Sequence, residues 1–146
     1  MRDNTAKPST FDVYEQELEW VPVSELYGFG NAVSASIGNL GKYLGRPGDD
    51  RGPWFYLIKH PPHTLVPRHA HSSAVCHLLL EGSWLVGEDE PRLCLPGFFH
   101  FEDAGAYWGP MRSGSEGSRF IAVYSGRPDF IVAEGSEAAE PYSGRE

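Results

Sequence analysis

The chain is poor in cysteine and in positive charge, and it has no long apolar run. Two cysteines in 146 residues, Cys76 and Cys94, exclude a disulfide framework, and in a chain with this much apolar content to bury they read as free, buried thiols. Lys and Arg number 12 against 20 Asp and Glu, a net charge of −8 with no basic stripe. That balance argues against nucleic acid and anionic membranes as partners. No stretch reaches the length of a membrane-spanning helix, and residues 1–10 have neither the basic start nor the apolar centre of a signal sequence. The expectation is a cytoplasmic protein.

What is present points to one all-β domain. With 40% apolar and 13% aromatic residues the chain can bury a single sizeable core. Its 17 Gly and 12 Pro punctuate short apolar runs: Trp54-Phe55-Tyr56-Leu57-Ile58, residues 74–81, 84–86, 98–101 and 120–124. Strands at that spacing, separated by turn residues, predict a sandwich or barrel. Residues 15–26 are the one stretch with helical character, interrupted by Pro22. The polar residues 1–10 and the acidic 133–146 read as flexible or disordered ends around a domain at 11–132.

His69-Ala70-His71 carries the most chemistry. Side chains on a strand alternate between faces, so two imidazoles one residue apart project to the same side and can reach one ion. Downstream, Gly82-Ser83 has the composition of a two-residue type II′ turn between Leu78-Leu79-Leu80-Glu81 and Trp84-Leu85-Val86. Such a hairpin would set Glu81 opposite Trp84 and His77 opposite Glu88.

These residues resemble the cupin superfamily. Its first motif runs Gly, five residues, His-x-His, three or four residues, Glu, six residues, Gly. Here His63 replaces the opening Gly, His69 and His71 supply the pair, the Glu slot falls on Val75 or Cys76, and Gly82 closes the motif. The second motif lies over Gly97 and Asp103-Ala104-Gly105 and ends at Trp108, where the motif has its metal-binding His. A second alignment, through Pro96-Gly97-Phe98-Phe99-His100, preserves a His. From about Trp20 to Phe130 the chain is most similar to the acetylacetone dioxygenase and 2,4'-dihydroxyacetophenone dioxygenase group. The resemblance implies a jelly-roll barrel, O2 insertion at a non-haem metal, and C–C cleavage of a small diketone or hydroxyketone. Fe(II) is the metal it favours, with Zn(II), Ni(II) or Mn(II) as alternatives. It implies a ligand role for Glu88 and an outer-sphere role for Glu102. Cupins of this size often bury sheet edges in dimers, which makes a homodimer the expected assembly.

Two histidines hold a divalent ion poorly, since functional sites of this kind have at least three protein ligands and open positions. Glu88 would complete a two-His, one-carboxylate set, or else orient His77. His77 and His100 compete as a fourth ligand, although a single His among apolar residues is more often a hydrogen-bonded core group. His60 and His63, flanking Pro61-Pro62, read as structural. Trp84, Phe99, Phe101 and Trp108, with Phe55 and Tyr56, are candidates for an apolar substrate wall, and Arg68 or Arg112 for holding an oxyanion. A Trp at position 108 could equally plug the barrel, leaving a cupin that binds or senses a small molecule without catalysis.

Overall fold

The computed structural model describes residues 7–27, 38–48 and 51–135. Its strands are β1 (Val21–Pro22), β2 (Leu40–Tyr43), β3 (Trp54–His60), β4 (Leu65–Val66), β5 (His69–Ala70), β6 (Val75–Val86), β7 (Arg92–Cys94), β8 (Phe99–Glu102), β9 (Met111–Tyr124) and β10 (Ile131–Val132). Most of the segment with helical character opens instead into a 3-10 turn at Glu15–Glu17 and then β1; only Val23–Tyr27 forms an α-helix, α1, starting directly after Pro22. Pro22 has no N–H to give a helix and sits at a strand end, where none is needed. Most of the ends expected to be soft, 1–10 and 133–146, lies outside the described residues. Among those residues no helix is long and apolar enough to cross a membrane.

The architecture is all-β. One sheet runs β1-β2-β3-β9-β6-β7, with β4 added to β9 and β8 to β6, and β5 pairs with β10. All of these pairings are antiparallel. The spine is the ladder between β6 and β9, which runs from Val75 opposite Tyr124 to Val86 opposite Met111. Its register shifts twice, between Leu79 and Glu81 and between Gly82 and Trp84. Bulges of this kind bend a strand and raise its twist. Each long strand therefore contributes to both walls around one interior.

That bend corrects the expected hairpin. The chain does not reverse at Gly82-Ser83; β6 continues to Val86 and turns at residues 87–90. Gly82 does take the left-handed conformation a II′ turn would need (φ 81°), but it spends it on a bulge. A Cβ there would stand 2.0 Å from the carbonyl oxygen of Gly117, so only glycine permits this approach of β6 to β9. His77 consequently lies opposite His100 on β8 and Ala122 on β9, not opposite Glu88.

The core gathers the inward residues of β3, β6 and β9: Tyr56, Ile58, Val75, Leu79, Trp84, Phe120, Ala122 and Tyr124. Trp84 is fully buried and its indole N–H donates to Ser118 Oγ at 2.9 Å, so its one polar atom is paired and the ring's burial is uncompensated gain. Cys94 is buried and Cys76 half-buried, both as free thiols.

Candidate functional site

The alternation of β5 and of the residues around it decides which side chains meet. His69 and His71 turn inward and are buried, their rings 4.9 Å apart at 87°. Each is fixed through Nδ1: His69 donates to the Pro67 carbonyl at 2.7 Å and His71 to the Asp129 carbonyl at 2.5 Å. A carbonyl only accepts, so both Nδ1 atoms carry a proton, and in the neutral ring the Nε2 lone pair is left for another partner. Asp129 is itself held, its carboxylate accepting from the Ser72 amide at 2.8 Å and from the Ser72 hydroxyl. Phe130 stacks on the His69 ring at 4.0 Å. Burial, with the neighbouring His71, pushes the His69 pKa down to about 3 and keeps that imidazole neutral.

β8 brings the carboxylate. His100 and Glu102 face inward with His77, while Phe99 and Phe101, the residues between, face out. Glu102 is 5% exposed; its Oε2 accepts from His100 Nε2 at 2.9 Å and its Oε1 lies 3.7 Å from His71 Nε2. Both of these facing atoms are buried and lack a hydrogen-bond partner. With a single His71 proton, on Nδ1, lone pairs confront one another, and a cation between them, either a second proton or a metal ion, makes the contact attractive.

The cavity beside these residues, which His69, His71 and His77 line and His100 and Glu102 do not, measures about 70 Å³. It is lined by His60, His69, His71, His77, Trp84 and Trp108, together with Asn39, Val66, Phe130 and apolar and tyrosine side chains from β3, β9 and α1. Trp108 is anchored by its backbone, exchanging N–H···O bonds with His69 at 2.9 and 3.0 Å, and its indole stacks on His100 at 4.1 Å. Tyr124 reaches the His71 ring at 5.1 Å, and its hydroxyl lies 3.2 Å from that of Tyr27.

Several expected positions fall elsewhere. Glu88 is exposed in the turn after β6, carried there because the strand runs past Gly82, and it lines a surface groove with Arg68, Leu85 and Arg112. Arg68 is exposed, one residue out of phase with His69, and its guanidinium lies over Tyr107 at 5.6 Å. Phe99 and Phe101, 60% and 57% exposed, belong to the outer face of β8 and not to a substrate wall. Phe55 is likewise exposed, while Tyr56 is core. Arg112 Nη1 donates to the His63 carbonyl at 2.9 Å, and His63 is a turn residue with φ 58°. Cys76, between the inward Val75 and His77, falls on the opposite face of β6.

His60, read from the sequence as structural, is also among the residues that line the cavity. The signal for it was the alternation Tyr56, Ile58, His60 along β3, all three of them buried.

The donors fit a divalent cation in kind: two imidazoles with Nδ1 tied back and Nε2 open, and a carboxylate already opposed to one of them. Two atoms bound to one ion at ~2.0–2.2 Å in tetrahedral geometry stand roughly 3.4 Å apart, close to the His71–Glu102 separation. Among the described residues, however, no three His, Cys, Asp or Glu side chains converge closely enough to hold an ion as they stand. Trp108, at the position where the resemblance expects a further His, faces His77 and His100 with its indole.

No protein-family model matches the chain, and no curated protein does. Solved structures define the fold. A polyketide cyclase, RemF of Streptomyces resistomycificus, superimposes with a TM-score of 0.64 at 20% identity, over 89% of this chain and 89% of that one. An acetylacetone dioxygenase from Acinetobacter johnsonii gives 0.59 at 17% identity, over 94% and 87%. An RmlC-like cupin from Ralstonia eutropha gives 0.59 at 21%, over 89% and 80%. The chain is a single-domain all-β protein with the cupin fold, and acetylacetone dioxygenases are among the structures it resembles.

Proposed function

We propose that this chain is a metal-dependent cupin enzyme, a non-haem Fe(II) dioxygenase that cleaves a C–C bond in a small diketone or hydroxyketone. The cation would be held by His69, His71 and Glu102, with Glu102 in the place first assigned to Glu88. The observation that carries this reading is the pair of buried, unpartnered atoms, His71 Nε2 and Glu102 Oε1, confronted at 3.7 Å beside the cavity that His71 lines. Two imidazoles and one carboxylate are the set that Fe(II) oxygenases use. The structural neighbours contribute the fold; the reaction class rests on the donors.

The ion, when bound, supplies Lewis acidity toward a chelated carbonyl and a site for O2. The chain's own residues do the rest. The Pro67 and Asp129 carbonyls hold both imidazoles in the tautomer that leaves Nε2 open. His100, hydrogen-bonded to Glu102 Oε2, orients the carboxylate. Trp84, Phe120, Phe130 and Met111 line the cavity with apolar surface, excluding water from the substrate.

The test is metal analysis of protein purified without added metal, followed by oxygen uptake on Fe(II) loading with pentane-2,4-dione and hydroxyacetone. One equivalent of metal and substrate-dependent uptake are expected; protein that neither carries nor takes up metal contradicts the reading. A second reading, a Zn(II)-stabilised or metal-free cupin that binds a small molecule without turnover, is favoured by Trp108, which stands at the position where the resemblance expects a further His and whose indole stacks on His100. Metal or ligand binding without oxygen uptake selects it.

A further inference from the structure

Two of the buried histidines have no part in the cation site. His60, at the end of β3, and His77, on β6, both line the cavity and are each 7% exposed. They flank one ring, their imidazoles standing edge-on to Phe120 at 5.1 and 5.4 Å. In each the Nδ1 atom is buried and has no hydrogen-bond partner. Burial keeps both neutral: it pushes the His60 pKa down to about 3, and it drives His77 well below its usual value with help from the neighbouring His71 and His100. An unpaired buried polar atom costs about 1–3 kcal/mol, and two on one cavity wall need a common explanation.

We infer that His60 and His77 form a second subsite, a hydrogen-bonding point for a hydroxyl group that the ligand carries away from its carbonyl. The chemistry selects the group. A hydroxyl both donates and accepts, so it satisfies an Nδ1 in either tautomer. A carboxylate or phosphate finds no Arg or Lys among the cavity-lining residues, and an ammonium finds no Asp or Glu there, only imidazoles, the Asn39 amide, two tyrosine hydroxyls and apolar walls. The ligand is therefore uncharged, with a polar group at each end and an apolar middle against Phe120, Ile58 and Val66. The assignment rests on the proposed function for the carbonyl end, which His69, His71 and Glu102 receive; the hydroxyl end is specific to this wall.

The experiment uses three uncharged probes of similar size, 4-hydroxybutan-2-one, 4-methoxybutan-2-one and butan-2-one, titrated into the full chain by calorimetry. The hydroxyketone binds about tenfold tighter than the methyl ether, the worth of one good hydrogen bond. In His60→Phe and His77→Phe that preference falls to within twofold while butan-2-one binding is retained. In the ¹⁵N-labelled wild-type protein, which needs no variant to fold, the hydroxyketone shifts the Nδ1 resonances of both rings and butan-2-one does not. Equal binding of the three probes, no binding of any at millimolar concentration, a preference that survives both substitutions, or unmoved Nδ1 resonances each overturns the subsite. Metal content of the same samples keeps the two claims separate. Metal retained without hydroxyl preference removes the subsite alone; hydroxyl preference in a chain that never takes up metal removes the Fe(II) reading alone.

Discussion

His71 Nε2 and Glu102 Oε1 stand 3.7 Å apart inside the barrel, both buried and both without a hydrogen-bond partner. Glu102→Gln separates the two consequences of this contact. An amide N–H can donate to His71 while the amide oxygen still accepts from His100, so the metal-free variant gains about 1 kcal/mol of stability. The same change removes the negative ligand and weakens divalent-metal affinity at least tenfold. Denaturant melts of metal-free protein and anaerobic metal titrations read the opposite signs; equal affinity in variant and wild type would place the cation elsewhere.

Trp108 sets the second prediction. Its backbone holds His69 through two hydrogen bonds, which any residue can make, while the indole covers His100. Trp108→His supplies a further imidazole and should tighten metal binding about tenfold or more, whereas Trp108→Phe should not. A competition titration against a chelator compares them. Tightening by both would mean that the indole merely blocks access.

Gly82→Ala tests the bend that builds the cavity. The left-handed backbone strains any side chain, and the added Cβ meets the Gly117 carbonyl. Strain and overpacking together predict a loss of about 2–4 kcal/mol, read as a lower denaturation midpoint with an unchanged m-value. A loss under 0.5 kcal/mol would mean that the β6–β9 approach is soft.

His60 predicts a pH dependence. Its folded pKa, lowered to about 3 by burial, lies below the unfolded value of ~6.5, so the unfolded chain binds the proton first. The stability from the neutral ring is complete above pH ~6.5 and is lost as pH falls toward 3. Between pH 7 and 5 one such histidine costs about 2 kcal/mol, and His60→Phe should lessen the wild-type decline by that amount. Parallel profiles for the two proteins would show the ring charged in the native state.

The sequence made the barrel and the inward histidine pair legible because both follow from period two: short alternating runs between turn residues, and His69 with His71 one residue apart. The same rule, applied to β8, would have turned Phe99 and Phe101 outward as partners of the inward His100 and Glu102. What misled was Gly82. A glycine with positive φ serves a turn or a bulge equally well, and the choice depends on Gly117, 35 residues away in the chain. Once Gly82-Ser83 is taken for a turn, Glu88 swings in as a ligand and His77 acquires the wrong partner. Local sequence also conceals the Asp129 carbonyl that orients His71 and the Phe130 ring that stacks on His69, since both arrive from a segment after β9.

Anaerobic titration of Fe(II) into the wild-type chain and into His69→Ala, His71→Ala and Glu102→Gln tests the cation site most directly. The account predicts one equivalent bound by the wild type and a loss of stoichiometric binding in each alanine variant, with Glu102→Gln weakened at least tenfold. No binding by the wild type, or full binding by all three variants, would contradict it.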